Sequence, residues 1–382
     1  MAGKGLECRG PVRGIALSLL WLAGTARGIV VSDEPNLHVV IPPSDYDGVG
    51  CMIYRGQPGG STGVLIHPWY VLTAKHILGV GAVSDHTFRL DLADGTPLFN
   101  VVERFLHPTA DLAVGRLDRS AKLSGYALYT ASQELNKTGI MVGYGVSGTG
   151  LTGPDPNYPR GTKRYGFNRI DQIQTDSNGI QYLLTDFDGP NAPGPLDGGT
   201  LGIDKEVMFA AGDSGGPLFV KIGDTFYVAG INTGLGDQNG NNIMPDYTDV
   251  GWSVRVRTCA SWISGQIAEM MSLTVTIVND LWGDVVLDPE PTDPNAPEYP
   301  AGIRVTLRAV PVPDKAFKYW TLYDPNHPDD ANYAVLDANT VTTVLMDTDR
   351  EVEAAFSCGS STMPLLTLFL PLAAAVRIRR RW

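Results

Sequence analysis

Short runs of apolar, β-branched and aromatic residues recur along the chain, separated by turns rich in Gly, Pro, Asn and Asp. The runs at 50–55, 63–66 and 70–73 are followed by others at 88–92, 100–105 and 112–117. Runs of this length, bounded by turn residues, predict strands rather than helices. The turn at 57–60 separates the first two runs, and Asp94-Gly95 marks a hairpin. Further strands are predicted at 139–145, 226–231 and 251–256. The stretch from Ser147 to about Asp204 reads as loop, with 182–185 as its one strand, because Gly, Pro, Asn and Asp dominate it. Its basic residues Arg160, Lys163, Arg164 and Arg169 read as a solvated face rather than an anion site. Beyond 272 the runs 273–278 and 302–308 alternate as strands do, around a loop holding Pro289, Pro291, Pro294 and Pro297.

The pattern changes at both ends. Lys4, Arg9 and Arg13 precede an apolar segment at 15–23 and then small residues, the layout of a secretory signal peptide. Cleavage is expected after Gly28, at Ala26-Arg27-Gly28, with Gly24-Thr25-Ala26 as the other acceptable site. At the far end come Cys358, an apolar segment at 365–376 and a cluster of Arg377, Arg379, Arg380 and Arg381. That order suits a stop in a membrane with the arginines inside.

With 382 residues and 43% hydrophobic content the chain can bury a large core, and its length suits two domains better than one. A net charge of -12 argues against nucleic acid as a partner. Of four cysteines, Cys8 leaves with the signal and Cys358 lies in the tail. Cys51 and Cys259 remain as a pair that could cross-link if their geometry allows. Asp237, Asn239 and Asn241 have oxygen ligands at calcium-loop spacing. The misplaced glycine and the missing bidentate acid favour a Gly/Asn turn, and no metal or other cofactor is expected.

The chemistry concentrates in Gly212-Asp213-Ser214-Gly215-Gly216-Pro217. Its glycines let the backbone turn so that the N–H groups of Gly212 and Ser214 can meet a developing oxyanion. A serine hydroxyl needs a base and a group that fixes that base in one tautomer. Thr73-Ala74-Lys75-His76 supplies a histidine after an apolar run. Asp111-Leu112-Ala113 supplies an acid before another, with Asp118 at the far end of that run as its competitor.

At these three motifs, in the order His, Asp, Ser, the sequence resembles the chymotrypsin-like (trypsin-like) serine peptidases. The resemblance implies an all-β fold, a double six-stranded antiparallel β-barrel with a C-terminal helix at 260–267, to which the alternating runs beyond 272 add a small C-terminal β domain. It implies His76 as base, Asp111 as its orienting acid, Ser214 as nucleophile and a protein or peptide substrate. It further implies that Asp213 pairs with a new α-amino group at Ile29. Met208, six residues before Ser214, takes the place at the floor of the specificity pocket and implies an uncharged, apolar preference. Ile77 and Ala210 stand where animal members carry cysteines, which fits a bacterial branch with few disulfides. Gly302, Val305, Thr306 and Leu307, the run 315–320, and Val352, Ala354 and Phe356 resemble bacterial surface β-repeat modules. The tail resembles a bacterial sorting signal, with Cys358 as a processing or lipidation point; a simple membrane anchor is the other reading of it.

The expected organisation is a signal peptide at 1–28, a peptidase domain at 29–271, a β-repeat module at 272–356 and a sorting or anchor segment at 357–382. The expected function is that of an exported serine endopeptidase at the bacterial envelope. A catalytically silent surface adhesion protein on the same scaffold is the alternative.

Overall fold

Six strands, each overlapping one of the six apolar runs expected between residues 50 and 117, close into a barrel. They are β2 (Val49–Tyr54), β3 (Ser61–His67), β4 (Tyr70–Thr73), β5 (His86–Arg89), β6 (Leu98–Leu106) and β7 (Ala113–Leu117), in the order β2-β3-β4-β7-β6-β5. The short strand β1 (Ile29–Val31) precedes them and joins the second half of the molecule. The computed structural model describes residues 29–358 except 33, 58–59, 191–193, 197–198, 203–204 and 324–332. The signal-like segment 1–28 and the tail beyond Cys358 lie outside the described residues. Met52, Leu65, Val71, Phe88, Leu90, Phe99 and Val101 fill the barrel, since alternate residues of each strand face inward.

The second half is also β, in two sheets. An eight-strand sheet runs β12 (Arg164–Arg169), β9 (Thr138–Gly143), β16 (Pro217–Ile222), β17 (Thr225–Gly236), β18 (Val250–Arg255), β14 (Gln181–Asp186), β13 (Gln172–Thr175), with β8 (Ala127–Leu128) beside β17. A four-strand sheet places β1 between β10 (Ser147–Thr149) and β15 (Val207–Met208), with β11 (Gly153–Pro154) outermost. The double-barrel, all-β expectation therefore holds, with the second half built from an eight-strand and a four-strand sheet. The closing helix α2 runs Val256–Gly265 and begins directly after β18, earlier than the 260–267 expected.

Two expectations for 147–204 are corrected. The stretch is not one strand among loops, since it contributes β10 through β14. Nor is its basic cluster a solvated face: Lys163 and Arg164 are buried, Arg169 is half-buried, and of the four only Arg160 is exposed. The cause lies in β12, whose inward positions are polar. Arg164, Gly166 and Asn168 face inward while Phe167 faces out. These groups are buried because each has partners. Lys163 Nζ donates to the Tyr46 carbonyl at 3.0 Å, Arg164 Nε to Pro35 at 2.8 Å, and Asn168 Nδ2 to Asp186 and Val207, both at 2.8 Å.

A five-strand sheet follows α2, in the order β21 (Glu298–Pro300), β19 (Met270–Val278), β26 (Arg350–Cys358), β23 (Lys315–Tyr323), β24 (Tyr333–Asp337). A three-strand sheet of β20 (Gly283–Asp288), β22 (Arg304–Pro311) and β25 (Val341–Leu345) accompanies it. Leu273, Val275, Trp320, Val352, Val285, Leu287, Val305 and Leu307 belong to one apolar core that runs back through α2 to Leu72 and Val114 of the barrel. Trp69 meets Tyr299 edge-on at 5.9 Å, and the Ala268 N–H reaches the Tyr70 hydroxyl at 3.1 Å. This module therefore packs on the first barrel rather than hanging from it.

Candidate active site

The register of β4 against β7 decides where the base and its acid meet. Thr73 lies opposite Ala113, so the residues just after β4 adjoin those just before β7. His76, in the short helix α1 (Lys75–Leu78), therefore stands beside Asp111. His76 Nδ1 and Asp111 Oδ2 are 2.7 Å apart, and the His76 backbone N–H donates to Asp111 Oδ1 at 2.8 Å. The Thr233 hydroxyl, from β17, donates to the same Oδ2. Burial works to raise the Asp111 carboxyl, but the bonds from His76 and Thr233 outweigh it and hold it below the usual range. An ionised Asp111 is an acceptor only, so the proton of His76 belongs on Nδ1 and the Nε2 lone pair is free to act as a base. Asp118 is elsewhere engaged, by Asn100 and Arg119.

Ser214 sits on the other wall, in the turn before β16. The walls are stitched together at Thr62 of β3. Its N–H donates to the Ser214 carbonyl at 3.0 Å and its hydroxyl to the Gly212 carbonyl at 2.9 Å. Gly215 packs so closely on Thr73 and Ala74 that a Cβ there would overlap the Thr73 hydroxyl, which places the turn against the strand end that leads to His76. Gly212 and Gly215 hold φ of +102° and +82°, a region side chains disfavour. The N–H groups of Asp213, Gly215 and Gly216 are taken by Ala210, Asn232 and Asp213 carbonyls. Among the described residues, those of Gly212 and Ser214 have no hydrogen-bond partner. Nor, among the described residues, does a hydrogen bond join His76 Nε2 to Ser214 Oγ; such contacts often tighten only when substrate binds.

Asp213 is fully buried and braces this turn from behind. It accepts N–H groups from Ala210 and Gly145, both at 2.7 Å, and from Ile29 at 3.2 Å. Burial pushes its carboxyl up to about 6, against the pull of these donors and of the Arg164 charge. Ile29, Val30 and Val31 are buried with it.

Met208 is also buried, next to Gly251, and the Thr185 hydroxyl points at its sulfur at 3.9 Å. The oxygens of Asp237, Asn239 and Asn241 accept N–H groups of their own turn, from Gly240, Asn242, Asn241 and Ile243. The cross-link left open between Cys51 and Cys259 is not formed. Both thiols are free and buried, one on barrel strand β2 beside Gly60 and Arg89, the other on α2 beside Thr258. Cys358 is free and exposed at the end of β26.

Sequence reasoning missed Thr233. It lies in a strand whose sequence, Ile231-Asn232-Thr233-Gly234, carries no catalytic mark, and only the pairing of β17 beside the turn brings it to Asp111.

The family model described as Trypsin matches residues 50–263. Two proteins of Corynebacterium glutamicum, both named as peptidases and one of them uncharacterized, are 28% and 27% identical over 203 residues, covering 53% of this chain. The chain spans 62% of the length of those relatives. A solved structure of neuropsin, a serine protease expressed in the limbic system of mouse brain, is 18% identical with a TM-score of 0.44, covering 60% of this chain and 97% of that one.

Proposed function

Because the chain belongs to the trypsin family, we propose that it is a serine endopeptidase in which Ser214 attacks a peptide carbonyl while His76 Nε2 takes its proton. Asp111 stabilises the imidazolium that forms. The oxyanion enters the N–H pair of Gly212 and Ser214, where one donor is worth about 3 kcal/mol of transition-state stabilisation. His76 then protonates the leaving amine, and water, activated by the same base, releases the acyl group from Ser214.

The observation that carries this reading is the N–H pair of Gly212 and Ser214, left without a protein acceptor among the described residues, on a turn stitched to the strand end beside His76 and Asp111. With no protein acceptor of their own, both N–H groups can donate to a developing oxyanion. Met208 supports an apolar side chain in the specificity pocket, since a thioether there offers no charge to a Lys or Arg substrate. The contact between Ile29 N–H and Asp213 supports a mature enzyme that begins at Ile29, with an α-ammonium in place of the amide.

Export through the signal-like segment, retention at the envelope by the tail, and a peptidase domain at 29–271 followed by a β-repeat module complete the proposal. The test is labelling of the full chain's secreted product with a fluorophosphonate, wild type against Ser214→Ala. Labelling lost in the variant supports an activated serine. A folded, unlabelled wild type that starts at Ile29 would transfer the weight to the adhesion-protein reading.

A further inference from the structure

Lys75 stands directly before the base, yet its side chain reaches back to the segment that carries the acid. Its ammonium donates to the carbonyls of His107 at 2.8 Å and Pro108 at 3.3 Å. These residues open the turn that ends at Asp111. His107 secures the same turn from within, its Nδ1 accepting the N–H groups of Ala110 at 2.9 Å and Thr109 at 3.3 Å. Burial, and then the Lys75 charge, hold His107 below its usual value, which keeps Nδ1 free to accept. From the other side α2 contributes the uncharged ring of Trp262, edge-on to His107 at 4.8 Å. One short chain of bonds thus links the backbone beside His76 to the backbone beside Asp111.

We infer that Lys75 is a positioning residue for the proposed hydrolysis, holding the 107–111 turn so that both oxygens of Asp111 face His76. The inference rests on the serine-peptidase reading. Losing the ammonium leaves two carbonyls to find water instead, and the turn is free to shift the carboxylate. A misplacement of about 1 Å in such a constellation costs on the order of 10²-fold in rate.

The test uses protein expressed from the full chain, as wild type, Lys75→Met and Lys75→Arg, with a fluorophosphonate as the probe. The maximal labelling rate of Lys75→Met is expected to fall about 10- to 100-fold while its half-saturating probe concentration stays within about twofold. Lys75→Arg, which can still donate to both carbonyls, should recover most of the rate. The downfield NMR signal of the His76 Nδ1 proton, bonded to Asp111, should weaken in Lys75→Met and return in Lys75→Arg. A rate within about threefold of wild type, a change confined to the half-saturating concentration, or no recovery with arginine would overturn the inference. Should Lys75→Met not fold, Lys75→Gln replaces it; one neutral donor should give an intermediate rate, and a wild-type rate would overturn the inference. A wild type that does not label at all would sink the peptidase reading instead, and the His76 proton signal would still judge Lys75.

Discussion

The wall that carries the acid–base pair and the wall that carries the nucleophile are built on opposite terms. His76 and Asp111 are 45% and 28% exposed, and direct bonds between their own atoms join them. The turn of Ser214 is shaped from behind by a carboxylate with no exposure at all, and Asp213 touches the backbone of three separate segments. The first wall is set by the barrel's register together with one donor, Thr233, from β17. The second depends on one buried charge, and one of that charge's partners is Ile29, next to the expected cleavage point. In the proposed enzyme, maturation at Ile29 would act through the second wall and proton transfer through the first.

Substitutions that each touch one wall test this separation. Asp111→Asn preserves the shape of the first wall but donates to His76, so the ring proton moves to Nε2 and the base is lost. Fluorophosphonate labelling should fall by about 10⁴-fold, with the melting temperature little changed. Gly143→Ala attacks the second wall, since a Cβ at that position would overlap Asp213 Oδ1. Displacing the carboxylate spoils the oxyanion turn, and labelling should drop by about 10²- to 10³-fold. The His76 Nδ1 proton signal should survive Gly143→Ala. Its loss there would mean that the walls are one unit and would break the comparison.

How much of this was legible depended on whether a residue's role followed from its own local pattern. Thr73-Ala74-Lys75-His76, Asp111 and the glycine-flanked Ser214 were readable because strand ends and tight turns leave marks in the sequence, and the barrel followed from short apolar, β-branched runs bounded by turn residues. The β12 strand was not readable. Its inward face carries Arg164 and Asn168, whose burial is supported by carbonyls of Pro35, Asp186 and Val207, residues distant in sequence. Thr233 was hidden for the same reason. Cys51 and Cys259 show the converse, where counting suggested a bond that their placement on β2 and α2 does not make.

A smaller effect should come from Thr233→Val, which keeps the side chain's shape and removes one of the bonds that hold Asp111 ionised. Labelling should decline by about tenfold, in line with the loss of one charge-assisted bond to an acid that His76 still holds. The pH profile should move in the same variant. With one stabilising donor gone the Asp111 carboxyl rises, and labelling should begin to fail at a less acidic pH than in wild type. An unchanged acidic limb would detach Thr233 from the first wall.

The smallest effect is the most specific to the second wall. With the chain continuous through Ile29, burial lifts Asp213 to about 6, above the value near 4 of an unfolded aspartate. A folded-state value above the unfolded one means that the fold favours the protonated acid. Its contribution to stability is full below about pH 4 and is lost as pH rises to about 6. An α-ammonium at Ile29 would favour the carboxylate and remove that loss. Glu206, lifted by burial to about 7, has the same sign but faces the same surroundings in both forms, so it cancels in a comparison. Urea unfolding of Ser214→Ala protein, which cannot digest itself, should therefore be followed from pH 4 to 7 in two forms, one with the preceding segment and one beginning at Ile29. The longer form should lose ground to the shorter between about pH 4 and 6. Parallel curves would show that Asp213 does not sense the new terminus, and the second wall would then have no switch.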